Sequence, residues 1–153
     1  MSTRTEKAVE SFRKGFNCAQ SVFSGYAPEM GIDAEDALRI STGFGAGIGR
    51  LQEVCGAITG ASMVIGCKHG MVRPDDTASK ESAYACVREL VRRFKELHGS
   101  VLCRELLQCD LRSAEGKKEF SQKHFMDTVC VPCVKDACMI IEEMFAEVGN
   151  ENP

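Results

Sequence analysis

Thiols are unusually frequent reactive side chains in this sequence, which has nine cysteines among 153 residues. The count is odd, and the charged residues 1–12 contain no apolar export signal, so a disulfide scaffold of the secreted kind is not expected. In a reducing compartment, cysteines serve as buried small residues, as ligands of a metal ion or cluster, or as a redox-active pair. The neighbours of each cysteine therefore decide which chemistry is available.

Two cysteines form a C-x-x-C pattern, Cys130-Val-Pro-Cys133. Pro132 suits the first turn of a helix, so the spacing predicts Cys130 near the N-cap of the last helix and Cys133 within its first turn. Unpaired backbone N–H groups at such a position lower the pKa of a thiol, as in dithiol oxidoreductases. The strand–helix–strand context of the thioredoxin fold is missing, and a structural zinc site usually needs a second closely spaced cysteine pair.

A glycine-rich stretch, FGAGIGRLQEVCGAITG, surrounds Cys55. Its alternating glycines match neither G-x-G-x-x-G nor a Walker A loop, and no strand precedes them, so the part before the thiol is interpreted as a flexible or tightly folded connector. A helix is predicted from about Leu51 to Lys68, with Gly56 and Gly60 beside Cys55 on one side. Either a neighbouring helix or a bulky inorganic group could occupy the side that these glycines leave open.

Two further thiols are predicted near helix N-termini. Cys18 follows Asn17, a residue type that favours the N-cap position, and Cys103 precedes Arg104. The positive end of a helix dipole favours a thiolate, and so does a neighbouring guanidinium. Both positions therefore predict a thiol with a lowered pKa.

The other residues that could bind a metal show weaker patterns. Cys86 and Cys138 are interpreted as core residues, Cys67 is assigned to packing or the surface, and Cys109 is given no role. Two histidines precede glycines at predicted helix ends and the third lies on a polar segment, which makes all three weak ligand candidates: His69, His98 and His124.

The elements that must position these residues are helical. Apolar residues recur at three- and four-residue spacing along most of the chain, and no segment shows the sustained alternation of a strand. Helices are predicted over residues 5–14, 18–31, 33–41, 51–68, 77–97, 103–109, 115–125 and 131–148. The sequence thus predicts an all-α fold, a single-domain bundle of about six to eight helices over residues 1–153.

Charge and hydropathy argue against several classes of partner. The formal net charge of −3 and the pI near 5.7 give no attraction to nucleic acid or to an anionic membrane. The most apolar run, residues 54–67, is too short and too rich in small residues to span a bilayer. We expect a cytoplasmic protein that neither binds nucleic acid nor inserts into a membrane.

Four stretches together carry a family resemblance: NCAQ at Cys18, the glycine-rich stretch at Cys55, CRELL at Cys103 and CVPCVKDA at Cys130. In this order they resemble the redox-active protein family named for its C–GCAxxG–C–C cysteine pattern, from about residue 12 to residue 144. The resemblance implies a small helical protein with redox activity, and it places the four pattern cysteines on those four positions. Cys133 departs from the family, since relatives often have an aromatic residue there.

The preferred hypothesis is a redox or electron-transfer protein. In it, four cysteines from separate helices converge on an iron–sulfur cluster, Gly56 and Gly60 make room for the cluster, and zinc is a substitute that the same thiols could bind. The proposed ligands are Cys18, Cys55, Cys103 and Cys130.

Two alternatives remain open. In a thiol–disulfide oxidoreductase, Cys130 would attack, Cys133 or Cys55 would resolve, and Arg104 or a helix dipole would lower the thiol pKa. In a non-redox helical binding domain, the cysteines would hold zinc or would be buried free thiols. The expected partners are an unidentified redox protein and a second copy of the chain in a homodimer.

Overall fold

The computed structural model describes residues 1–150, and these form eight α-helices, with the connection between the third and fourth running over residues 42–55. In chain order the helices are α1 (Thr3–Arg13), α2 (Cys18–Tyr26), α3 (Ala34–Ser41), α4 (Gly56–His69), α5 (Thr77–His98), α6 (Cys103–Leu107), α7 (Ala114–Gln122) and α8 (Val131–Asn150). Within the described residues there is no strand, and a single β-bridge joins Val54 to Leu102. The predicted all-α bundle of six to eight helices is confirmed.

Local capping residues start two of the helices where the sequence predicts. The Asn17 side chain accepts a hydrogen bond from the Gln20 N–H, and the Gln20 side chain accepts one from the Asn17 N–H, which is a capping box at α2. The Asp33 carboxylate accepts from the N–H groups of Glu35 and Asp36 at α3. Each contact lies within three residues of the cap, so the sequence alone contains the signal.

Two boundaries near the thiols differ from the prediction. α4 begins at Gly56 and not near Leu51, because four of the residues from 46 to 52 have positive φ without being glycine and cannot belong to a right-handed helix. Cys55 is therefore the N-cap residue of α4 and not an interior residue. A π-helical turn (Met126–Cys130) runs directly into α8, so the Cys130 backbone lies within a continuous helical segment and not at a free helix start.

Close packing of α2 against α4 forms the centre of the bundle. A Cβ at Gly60 would lie 2.8 Å from the Ala19 carbonyl oxygen and 3.1 Å from the Val22 Cβ, and a Cβ at Gly56 would overlap the Cys18 sulfur. Of the two occupants left open for the glycine side, the observed one is the neighbouring helix. These glycines therefore serve the approach of two backbones.

The longest helices differ in how much of their surface is buried. α8 contributes a continuous apolar face, whereas α5 buries only Leu90 and Phe94 and is the surface helix that its polar sequence predicts. The buried α8 residues are Val131, Cys133, Val134, Ala137, Cys138, Ile140, Ile141 and Met144. In the part of the chain that the structure describes, every helix is too short or too polar to cross a membrane.

Candidate functional site

Five cysteines line one cavity, which has a volume of about 140 Å³. The rest of its lining is almost entirely apolar and includes Phe12, Leu107 and Phe120. An apolar protein cavity of about this size can hold a benzene-sized molecule. The structure thus brings together the four cysteines of the family pattern and one more: Cys18, Cys55, Cys103, Cys130 and Cys133.

Each of these cysteines stands at or near the end of a helical element. Cys18 and Cys103 are the first residues of α2 and α6, and Cys55 is the N-cap residue of α4. Cys130 ends the π-helical turn, and Cys133 is the third residue of α8. Because helix ends from different parts of the chain meet here, the five side chains can enter one cavity.

Backbone hydrogen bonds hold two of these thiols at a fixed separation. The Cys55 N–H donates to the Val101 carbonyl at 2.7 Å, and the Cys103 N–H donates to the Glu53 carbonyl at 2.7 Å. These bonds flank the β-bridge between Val54 and Leu102. They tie the start of α4 to the start of α6, although 48 residues separate the two cysteines.

Three of the thiols are linked by hydrogen bonding that shifts the pKa values of Cys18 and Cys55, and we call them the thiol row: Cys18, Cys55 and Cys133. The Cys55 thiol is in hydrogen-bond contact with the thiols of both Cys133 and Cys18. Contact with Cys133, together with burial, raises the pKa of Cys55 although the contact with Cys18 opposes it. Contact with Cys55, followed by burial, raises the pKa of Cys18 well above its ordinary value. Cys18 and Cys55 are therefore neutral thiols at pH 7.

The other two thiols, Cys103 and Cys130, form what we call the separate pair. Burial is the main cause that raises the pKa of Cys103 to about 12, with a smaller contribution from the nearby thiol of Cys18. Burial likewise raises the pKa of Cys130 to about 12. In these two residues, desolvation and not thiol contact controls ionisation.

The predictions of activated thiolates are wrong for Cys18, Cys103 and Cys130. At Cys18, backbone hydrogen bonds at the helix N-terminus lower the pKa by less than thiol hydrogen bonding and burial raise it. Arg104 does not serve Cys103, because its guanidinium pairs with Glu53 at 2.8 Å on the surface. Cys130 lies within continuous helical backbone, so it lacks the free N–H groups that its predicted role as the attacking thiol required.

A left-handed turn over residues 45–52 shapes one wall of the cavity. The Ala46 N–H of this turn donates to the Cys18 sulfur, which opposes part of the rise in the pKa of Cys18. Neither Gly56 nor Gly60 is among the lining residues, and both allow α2 to pack against α4, so their role beside a cofactor stays a prediction. No simple periodicity in the sequence signals a run of left-handed residues that includes alanine.

Gln52 is a buried polar residue that sequence reasoning missed. Its side-chain amide donates to the Cys109 carbonyl at 2.8 Å and accepts from the Leu111 N–H at 2.8 Å. The same side chain also reaches the Cys103 sulfur. Gln52 therefore fixes the segment after α6, which includes the cavity residue Leu111.

His98 was predicted as a helix C-terminal residue, which it is, but it also contacts the thiol row. Its Nε2 lies 2.9 Å from Asp136 Oδ2, and its Nδ1 lies 4.0 Å from Cys133 Sγ. The three residues come from α5 and α8. The contact pairs residues 35 apart in the chain, so no local pattern could reveal it.

The remaining four cysteines lie away from the cavity lining. Cys138 is buried in the core, as predicted, whereas Cys86 is only half-buried at the edge of the core. Cys67 is exposed and Cys109 is half-buried. All nine cysteines are free thiols.

The five cavity thiols do not form a recognisable site for a single metal ion. Among residues 1–150, no group of three or more His, Cys, Asp or Glu side chains is arranged to hold a single metal ion. A tetrahedral zinc site needs such an arrangement.

Comparison with known proteins identifies one family. The family model described as "Putative redox-active protein (C_GCAxxG_C_C)" matches residues 16–144, a span that contains all five cavity cysteines. No curated protein and no solved structure matched the chain. On the evidence of this match, which covers most of its length, the chain belongs to the C_GCAxxG_C_C family.

Proposed function

We propose that this protein transfers electrons through its cavity thiols, with Cys18 and Cys55 as the working dithiol. The observation that supports the proposal is the contact between these two thiols inside a mostly apolar cavity. A disulfide between them requires the two sulfurs to approach to about 2.05 Å. The family match supports redox chemistry in general, and the thiol contact supports this pair in particular.

The proposed reaction is the reduction of a disulfide on a partner protein. The Cys18 sulfur attacks one sulfur of that disulfide, so a mixed disulfide forms and one partner thiolate leaves. The Cys55 sulfur then attacks Cys18, which forms the Cys18–Cys55 bond and releases the second partner thiolate. Two thiols are oxidised and one disulfide is reduced, and the two released sulfurs take up two protons in total.

Accessibility supports Cys18 as the thiol that meets the partner. Cys18 is half-buried, whereas Cys55 is only 7% exposed. The N–H groups of Ala46 and Ala19 donate to the Cys18 sulfur and favour its thiolate, although thiol contact and burial keep its pKa raised. We therefore expect slow reaction with free thiol reagents and faster exchange with a partner that binds beside Cys18.

Equilibration with glutathione redox buffers tests the proposed pair. Quenching with an alkylating reagent in denaturant, followed by mass spectrometry, gives the fraction of chains with a Cys18–Cys55 bond. We expect a two-electron transition that is lost in Cys18→Ser and in Cys55→Ser. Cys86→Ser is the matched control, because Cys86 is half-buried outside the cavity. A transition that persists in Cys18→Ser would contradict the proposal.

An iron–sulfur cluster is the second candidate, and the lining of one cavity by all four pattern cysteines favours it. Cysteine sulfur is the usual ligand of such clusters, so the donor set fits. Cys18, Cys55, Cys103 and Cys130 would hold the cluster, which supplies one-electron transfer when bound. The chain's own part would be to exclude water with its apolar lining and to donate the Ala46 N–H to a ligand sulfur.

The separate pair distinguishes the two candidates. Anaerobic reconstitution with iron and sulfide should give visible absorption and stoichiometric iron if a cluster forms. Replacing Cys103 or Cys130 with serine would then abolish iron binding. The dithiol proposal instead expects both variants to keep the Cys18–Cys55 transition, because neither residue belongs to that pair.

The proposed partners follow from this chemistry. A protein that carries a disulfide fits the dithiol function, and an electron-transfer protein fits the cluster. A homodimer stays a prediction from the sequence, and sedimentation equilibrium would check it.

A further inference from the structure

A histidine–aspartate pair lies next to Cys133, at one end of the thiol row. His98 directs Nδ1 toward Cys133 Sγ at 4.0 Å and Nε2 toward Asp136 Oδ2 at 2.9 Å. The Phe94 ring lies beside the imidazole with 4.4 Å between ring centroids. Because the carboxylate accepts the hydrogen of Nε2, Nδ1 is left as an acceptor that faces the sulfur.

The pair connects the buried thiols with the protein surface. Cys133 is 1% exposed, whereas the side chains of His98 and Asp136 are 15% and 28% exposed. Among the described ion pairs, the His98 ring contacts Asp136 and no other charged group. Cys133 lines the same cavity as Cys18 and Cys55, so the His98–Asp136 pair joins that cavity to solvent.

We propose that His98, oriented by Asp136, accepts the proton that Cys55 loses when the Cys18–Cys55 disulfide forms, with the Cys133 thiol as the relay. The inference rests on the dithiol function proposed above. Exchange needs a thiolate, and the lining of the cavity includes no carboxylate or imidazole that could accept a proton directly. The 4.0 Å separation is at the outer limit of a hydrogen bond to sulfur, and such contacts commonly shorten when the reacting complex forms.

Protons and electrons balance in this relay. The Cys55 S–H transfers its proton to the Cys133 sulfur while the Cys133 S–H transfers its own to His98 Nδ1. The Cys55 thiolate attacks the Cys18 sulfur of the mixed disulfide, the new S–S bond forms, and the bonding electrons leave with the partner thiolate. That thiolate takes a proton from water, and His98 later returns its proton to water at the surface.

Oxidised glutathione is the disulfide probe for the experiment, and the resolving step is followed by quench and mass spectrometry. We expect His98→Asn to slow this step about 100-fold, as loss of a general base does. The mixed disulfide of Cys18 with glutathione should accumulate. His124→Asn is the matched control, since His124 is exposed and away from the cavity. Cys133→Ala should slow the step as strongly as His98→Asn, and Asp136→Asn less.

Three readouts separate proton transfer from a structural effect. The equilibrium fraction of disulfide should stay unchanged in His98→Asn, because a base changes the rate and not the end point. The rate in His98→Asn should rise about tenfold for each pH unit, since only hydroxide then removes the proton, whereas the rate in the unaltered protein should rise less steeply. Added imidazole should restore part of the lost rate.

The possible failures are distinct. Equal resolving rates in His98→Asn and the unaltered protein would overturn this inference and leave the dithiol function standing. Absence of any Cys18–Cys55 disulfide in the unaltered protein would overturn the proposed function and this inference with it. Asp136→Asn keeps the inference testable if another variant fails to fold, because it changes few atoms at a partly exposed position.

Discussion

The thiol row and the separate pair border the same cavity but are held in different ways. The row comes from α2, the N-cap of α4 and α8, the backbones of α2 and α4 pack closely, and hydrogen bonding links its thiols. The separate pair comes from α6 and the π-helical turn, and burial is the main cause of the raised pKa values of Cys103 and Cys130. A thiol in contact with another can form a disulfide, whereas a thiol that is only buried is stable and unreactive.

The two groups also depend on different anchors. Gly56 and Gly60 allow the backbone approach that brings Cys18 to Cys55. Gln52 and the hydrogen bonds around the β-bridge position Cys103 and the segment after it. Disturbing one set of anchors should therefore affect one group of thiols more than the other.

Alkaline pH should produce the largest change, and it tests whether burial controls the separate pair. The pKa values of Cys103 and Cys130 are about 12 in the fold, above the ordinary value of 9.0. Between these values the unfolded chain loses protons that the folded chain keeps, so the stability present below pH 9 falls as pH rises. We expect the free energy of unfolding to drop by about 1 kcal/mol per buried thiol and pH unit.

Urea unfolding at pH 7, 9 and 10 measures this effect. Cys103→Ser and Cys130→Ser should each reduce the slope between pH 9 and pH 10. Measurements between pH 6 and pH 7 are the control, because thiols are protonated in both states there. An unchanged slope in both variants would show that burial does not set the ionisation of the separate pair.

Gly60→Ala should have the next largest effect and should act on the thiol row. The added Cβ would lie 2.8 Å from the Ala19 carbonyl oxygen, so α2 and α4 must separate. We expect a loss of about 1–3 kcal/mol in the free energy of unfolding, as for other overpacked cores. Formation of the Cys18–Cys55 disulfide should fall in parallel.

Gly66→Ala is the matched control for this change. Gly66 lies in the same helix, and its added Cβ would meet nothing within 4 Å. Alanine favours the helix by about 1 kcal/mol over glycine, so this variant should be more stable. If both variants lost stability equally, the close approach of α2 to α4 would not be the cause.

Gln52→Ala should have the smallest effect and should act on the separate pair. It removes two hydrogen bonds of 2.8 Å that hold the segment after α6. We expect a loss of about 1 kcal/mol and faster alkylation of Cys103, with the alkylation rate of Cys55 nearly unchanged. Gln122→Ala, on the exposed face of α7, is the control. An equal increase in the alkylation rates of Cys103 and Cys55 would show that the same contacts position both groups of thiols.

Much of the fold could be predicted because its signals are local. The caps at Asn17 and Asp33 and the polar face of α5 depend on residues a few positions apart. The start of α4 could not be predicted in this way. Six of the residues from 46 to 52 adopt left-handed conformations. Hydrogen bonds within the turn hold them, for example from Gln52 N–H to the Ala46 carbonyl, and the Arg104 N–H bonds the Gln52 carbonyl from a distant part of the chain.

The sequence predicted which cysteines line the cavity better than it predicted the ionisation of their thiols. The family pattern selected Cys18, Cys55, Cys103 and Cys130, and all four line the cavity. Helix dipoles and neighbouring charges suggested lowered thiol pKa values, but burial and thiol contact reverse that direction. Burial is a property of the assembled helices, and therefore neither the true ionisation of the thiols nor the approach of His98 to Cys133 could be inferred from spacing.

The turn over residues 45–52 has a further consequence, which concerns chirality. Six of its residues have positive φ, and four of these are not glycine: Ala46, Ile48, Arg50 and Gln52. Each costs an L-amino acid about 1–2 kcal/mol, whereas a D-amino acid adopts this conformation as its ordinary one. A synthetic chain with D-alanine at position 46 should therefore have a larger free energy of unfolding than the same chain with L-alanine there. At these four positions of the turn beside Cys18, a D-amino acid therefore suits the backbone conformation better than the L-amino acid that occurs there.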